Sequence, residues 1–434
     1  MLTRNKTILT LILFLIFILK ISAQESEYYN ENQLRYEDYI YKNNIQTVLL
    51  YKEGWELSYP IVTLHNPSSL ILKFDDLDSD IKDYSYTIIH CTSDWQVTSI
   101  SPTEYYDGFS DNRITDYKQS FNTTFKYNHY TLSFPNEELK IKISGNYIIK
   151  VFENSDPDNF VLTKRFLVVD QKVAITGNVK QTAVGSIRKT HQEIDFTINK
   201  SSYPINNVYE DIKVYVMQNF RWDNMIKTLK PQYVKDNEFI YDFDEENTFP
   251  GSSEFHNFDM KSLRFSGEKI DQITFKQQFY HVKLIDDEKR KFKTYQYQKD
   301  LNGKFLVQSK EAQNSDNEAD YAYVYFTLKQ ETPLLDGNLY VFGALTNWTF
   351  YKNNLMKYNA ENNQYEISLL LKQGYYNYQY AFVKDSSNYA DTGLIEGNHW
   401  ETENDYVILV YHKDFTARYE KLIGYQILNS VVKN

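Results

Sequence analysis

Short apolar segments, alternating or clustered and ended by turn residues, recur along nearly the whole chain. Residues 69–74 form one, closed by the acidic turn Asp75-Asp76-Leu77-Asp78. Residues 84–90 form another, with Tyr84, Tyr86, Ile88 and His90 on one face, as the two-residue period of a strand requires. Residues 130–134, 145–152 and 161–169 follow at sandwich spacing, and a first domain is expected to close near Asp170. A second series runs through 173–179, 191–198, 212–217, 238–243, 273–284 and 292–296. A third comprises 339–343, 364–371, 375–383 and 406–411, separated by Asp336-Gly337, Gln373-Gly374 and Glu396-Gly397-Asn398. Residues 31–41 are the best helical candidate. Residues 247–265 read as an irregular loop, and 311–320 as a linker or long hairpin loop.

The pattern predicts an all-β protein of tandem β-sandwich domains over 24–170, 171–330 and 331–434. Composition supports it. Tyr (39), Phe (27) and Trp (5) bring aromatics to 16% of 434 residues, and rings favour strands. Glycine is scarce, at 14 residues, which counts against architectures rich in phosphate-binding loops.

Charge and chemistry narrow the function. Lys and Arg number 47 against 58 Asp and Glu, a net charge of −11 with no basic stripe, so no nucleic acid is expected as a partner. The single cysteine, Cys91, excludes a disulfide framework and every CxxC motif; in its Ile-rich strand it reads as a small buried hydrophobe. GxSxG, HExxH, GxGxxG and GxxxxGK[ST] are all missing. The eight histidines, at 65, 90, 129, 191, 256, 281, 399 and 412, include no pair at metal-ligand spacing. No catalytic, cofactor-binding or metal-ligating residues are therefore expected. Asp76, Asp78 and Asp80 alternate like a calcium loop, but Ile81 and Thr87 stand where Gly and Glu are needed. A solvated inter-strand turn is the better reading.

Arg4 and Lys6 precede an apolar run over 8–19, and Ala23 suits cleavage, so 1–23 reads as a signal peptide with Gln24 starting the mature chain. No second long apolar run follows, and no direct membrane insertion is expected. Residues 94–117 crowd Trp95, Tyr105, Tyr106, Phe109 and Tyr117 around Pro102 and Gly108, with few strand signals. This segment is the candidate partner-binding loop.

Two resemblances sharpen the picture. Tyr340-Val341-Phe342-Gly343-Ala344-Leu345-Thr346-Asn347-Trp348, followed by Gln373-Gly374-Tyr375-Tyr376-Asn377-Tyr378-Gln379-Tyr380, resembles the immunoglobulin-like early-set sandwich of starch- and glycogen-binding modules. That likeness implies Trp348, with Tyr389 as a second platform, as candidate glycan contacts; Gln379 stands where those modules often place lysine.

The chain as a whole resembles the type IX secretion system plug protein family. The likeness rests on Asp75-Asp76-Leu77-Asp78, Tyr84-Ser85-Tyr86-Thr87-Ile88-Ile89-His90-Cys91, Asp94-Trp95, Ser101-Pro102-Thr103-Glu104-Tyr105 and Asp107-Gly108-Phe109. His129-Tyr130, Gly145-Asn146-Tyr147 and Asn404-Asp405-Tyr406 extend it. It implies a non-enzymatic periplasmic protein at the inner face of the outer membrane. Its partner would be the giant outer-membrane β-barrel translocon, whose periplasmic opening it seals. A glycan-binding protein and a secreted glycoside hydrolase with two convergent carboxylates are the alternatives.

Overall fold

The computed structural model describes residues 33–65, 68–78, 80–227 and 229–431; the expected signal peptide lies outside them. The protein is mostly β, built from several antiparallel sheets. Sheet I contains Ile45–Lys52, Leu70–Asp76, Asn128–Phe134 and Asp116–Gln119, in that spatial order. Sheet II centres on Phe160–Val169, Gly145–Glu153 and Tyr84–Cys91, with Ile61–Thr63 added in parallel. Sheet III is Ile212–Gln218, Asp405–His412 and Lys421–Asn429; sheet IV centres on Ala174–Gln181, His191–Asn199 and Glu238–Tyr241.

These four sheets form successive layers, because the strands of sheets II and III are apolar on both faces. Tyr84, Tyr86, Tyr147, Ile149 and Phe166 point from sheet II into a core shared with Leu70, Leu72, Phe74 and Tyr130 of sheet I. Their neighbours Cys91, Ile148 and Leu167 point the other way, onto Tyr215, Met217, Val407, Leu409 and Tyr411 of sheet III. The opposite face of sheet III sends Val214, Val216, Ile408 and Val410 against Ile194, Phe196 and Phe239 of sheet IV. Alternating side-chain direction thus makes one strand serve two cores. Near-continuous apolar runs such as Tyr406-Val407-Ile408-Leu409-Val410-Tyr411 are the sequence mark of this double burial.

The sheets do not follow the linear cut at 330/331. Asp405–His412 returns to pair with Ile212–Gln218 and Lys421–Asn429 pairs with Asp405–His412 in turn, so residues 405–429 complete the middle body. Residues 256–396 form an insertion with its own core. Sheet V (Ile270–Lys276, Phe279–Leu284, Tyr321–Lys329, Gln364–Lys372) packs through Val282, Val324 and Phe326 on sheet VI. Sheet VI centres on Gly374–Lys384, which pairs with His256–Asp259, Phe305–Val307 and Gly337–Phe342. The outgoing and returning connections are bonded to one another: His399 N donates to Ser252 O at 2.8 Å, and Ser252 N to Asn398 Oδ1 at 3.1 Å. Gly251 is required there, since a Cβ would lie 1.9 Å from the His399 carbonyl oxygen.

Local expectations are corrected at several places. The described part of the helical candidate 31–41 is bends and the strand Tyr39–Ile40, which pairs with Phe160–Val169. The run 273–284 is a hairpin, turned at Gln277 and Gln278, both at positive φ. Residues 292–296 form no strand, and Phe292 is 93% exposed. The irregular loop 247–265 contains two short strands that carry the chain into the insertion. The turn after residue 74 is not solvated at Asp76. That carboxylate is buried and accepts from Tyr84 Oη at 2.9 Å and the Asp78 amide at 2.9 Å, with Lys82 3.2 Å away.

Candidate functional site

The segment 94–117 is folded into the first body rather than looped out. Pro102–Tyr105 forms one helical turn, and Tyr106–Gly108 pairs with Leu139–Ile141. Tyr105 and Tyr106 are buried in the first core, and Tyr105 Oη donates to Ile88 O at 3.3 Å. Phe109 is 74% exposed and Tyr117 41% exposed, the latter leaning on Tyr130 at 5.7 Å. Of the five aromatics grouped by sequence, two face outward. Phe109 is the more exposed of the two.

Trp95 belongs to the joint between sheets II and III. Buried, it meets Trp222 edge-on at 4.9 Å, and the Arg165 guanidinium lies 4.4 Å from its ring and 5.2 Å from that of Trp222. Arg165 also donates twice to Tyr36 O, at 3.0 and 2.8 Å. Burial pulls the guanidinium below its ordinary value, with Asp38 opposing, and arginine still keeps its charge at neutral pH. Asn146 accepts from Tyr411 Oη at 2.7 Å, and Glu420 accepts from Ser93 N at 2.7 Å, across the same joint. Residues that carried the family likeness, Cys91, Trp95 and Asn146, therefore bind one body to the next.

A second joint is ionic. Asp75 of sheet I accepts from Lys372 Nζ, Tyr321 Oη and His129 Nδ1, each at 2.6 Å. Lys372 also donates to Asp316 O at 2.6 Å and sits 4.2 Å from the Tyr127 ring. Burial alone would raise Asp75, but Lys372 and His129 outweigh it and hold the carboxyl below its usual range. Burial pulls Lys372 down as well; with its two oxygen acceptors and an aromatic face, it remains the cation of the pair. The segment 311–320, expected as a linker or long hairpin loop, is part of this joint. Asp316 binds Lys73 at 2.8 Å, and Asp320 accepts from Thr124 N at 2.7 Å. Sequence reading missed the set because the partners of Asp75 lie 54 to 297 positions from it. The one signal was Lys372 closing a Leu-rich strand.

The insertion holds a third buried network. His256 lies 3.2 Å from Asp287 and 3.1 Å from Glu396, and Arg290 binds Glu396 at 2.7 Å. Burial would raise both carboxyls; Arg290 and His256 lower Glu396, and His256 with Tyr378 and Tyr380 lowers Asp287, each to about 2. A histidine with two carboxylates could serve acid–base chemistry, but here every member is paired inside the protein. Among the described residues, Glu193, Asp195 and Asp242 are grouped closely enough to hold a cation, and the Lys180 ammonium bridges them.

Trp348 packs edge-on against Phe342 at 5.2 Å and Phe255 at 5.9 Å, beside Gly303, where a Cβ would clash with its ring. Tyr389 is 37% exposed near Arg221 and Asp223.

Residues 45–170 match the family described as the type 9 secretion system plug protein first domain. A crystal structure of a hypothetical protein from Parabacteroides merdae is similar over 92% of this chain and 100% of its own, with 36% identity and a TM-score of 0.89. No match to a curated protein was found. No helix among the described residues is long and apolar enough to cross a membrane. With sheet I and the central strands of sheet II falling within the matched residues, the chain carries, over 45–170, a first domain of the type 9 secretion system plug protein family.

Proposed function

We propose that this protein is a non-enzymatic periplasmic plug, which binds and seals the periplasmic opening of the giant outer-membrane β-barrel translocon of the type IX secretion system. The observation that carries the reading is the plug-family match over 45–170, the residues that build sheet I and all of sheet II but its edge strand Tyr39–Ile40. Layered sheets with cross-body ionic and aromatic joints suit a body that must block a wide aperture without deforming. The packed sheet pairs fit an immunoglobulin-like reading of each body, with the insertion standing where the starch-module likeness was seen. Phe109 and Tyr117 are the exposed members of the proposed docking loop. A mature chain starting near Gln24 and held at the inner face of the outer membrane completes the proposal.

The test is affinity capture from outer-membrane extract with the tagged full chain. Recovery of a giant β-barrel supports the reading, and a capture free of any barrel rejects it. Glycan binding through Trp348 and Tyr389 is the weaker reading, because the Trp348 ring packs on its own body. A hydrolytic activity abolished by one carboxylate substitution would replace both.

A further inference from the structure

The outward face of sheet V carries an open groove of about 650 Å³ that neither likeness assigns. Strand alternation builds it. Tyr323 and Tyr325 project outward between Ala322, Val324 and Phe326, which are buried in the insertion core. Along this face five rings form a continuous ladder. Phe125, from the first body, stacks on Phe279 at 4.7 Å, and Phe279 meets Tyr323 at 5.0 Å. His281 follows, 5.6 Å from Tyr323 and 5.8 Å from Tyr325, with its Nδ1 2.7 Å from Tyr325 Oη.

The ladder is rigid because each ring rests on the next. For the same reason its members offer edges and polar tips rather than free faces, which suits a polypeptide better than the flat face of a sugar. The charge of the groove opposes that of the whole chain. Lys276, Lys283 and Lys357 line it, in a protein of net charge −11. Among the described residues, Lys276 and Lys357 form no salt bridge, while Lys283 pairs with Asp271 at 3.0 Å. The one acidic lining residue, Glu366, is already engaged by Asn359 and Gln364.

We propose that this groove docks an acidic, aromatic-containing peptide segment of a protein partner. Its carboxylates would meet Lys276 and Lys357, and its rings would pack on His281 and Tyr325, the two members of the ladder that line the groove. The site is separate from the loop 94–117 and holds whichever protein carries the segment.

The experiment is a fluorescence-anisotropy titration of the full chain, at low salt, with a labelled octapeptide of alternating Glu and Tyr. Matched probes are the Lys-Tyr octapeptide and an octamer of galacturonate. Saturable binding of the Glu-Tyr probe is expected, weakened about tenfold by Lys276→Glu with Lys357→Glu and about fivefold by Tyr325→Ala. If the charge reversals lower the melting temperature, Lys276→Gln with Lys357→Gln decides in the same direction. No saturable binding, equal binding of the Lys-Tyr probe, or indifference to these variants overturns the proposal. Displacement of the peptide by galacturonate at equal or lower concentration also overturns it, in favour of an acidic sugar.

Discussion

Lys372 Nζ lies 2.6 Å from Asp75 Oδ2, with both side chains 1% exposed and the two residues 297 positions apart. One belongs to the insertion and the other to the first body, so the pair ties together segments that share no sheet. A buried ion pair adds little net stability over an apolar replacement, but breaking one side strands the other charge. Lys372→Met should therefore cost about 3–5 kcal/mol in urea unfolding. Adding Asp75→Asn should return part of that loss. Strictly additive costs would show that the two residues are not coupled.

The aromatic loop separates into two classes. Tyr105→Ala removes a core ring and should lower stability by about 3 kcal/mol. Phe109→Ala should change it by no more than about 0.5 kcal/mol, because that ring faces solvent. If Phe109 docks, its loss weakens barrel co-purification while the melting temperature holds. Retained co-purification would remove this ring from the interface.

Glu254 makes stability depend on pH at the connection between the middle body and the insertion. Burial raises its carboxyl to about 7, with Tyr295 and the Glu403 amide opposing, against an ordinary value of 4.5. The folded chain thus keeps a proton that the unfolded chain has released. The contribution is fully present below pH 4.5 and is lost as pH rises through about 7. Asp300, raised by burial to about 6, acts in the same sense. Glu254→Gln keeps an acceptor for the Glu403 amide without the charge. Allowing for solvent screening, it should be near neutral at pH 5 and stabilise by about 2 kcal/mol at pH 8. Equal stability differences at both pH values would contradict this.

Cys91 should be inert in the folded protein. Burial pushes its thiol up to about 12, with Arg165 opposing, and it is packed between sheets II and III. Iodoacetamide at pH 8 should leave it unmodified by mass spectrometry until denaturant opens that joint. Rapid alkylation under native conditions would mean that the joint itself opens.

Much was legible in the sequence because it depends on near neighbours. A two-residue period defines a strand whatever it packs on, which is why 84–90 and 145–152 emerged and why the chain read as β throughout. The motifs at Asp94-Trp95 and Gly145-Asn146-Tyr147 pointed to the correct family. The helical pattern of 31–41 misled, since Tyr39–Ile40 takes its conformation from the strand it pairs with.

The tertiary structure decided what each residue faces. Trp95 and Phe109 look alike in a polar, aromatic segment, yet one is closed between two sheets and the other stands in solvent. The placement of 405–429 in the middle body follows from the edge offered by Ile212–Gln218, and no local pattern records which edge a strand will find. The pairing of Asp75 with Lys372 is of the same kind. Composition and period fix the elements through short-range geometry. Partners hundreds of residues apart are fixed only when packing brings their faces together.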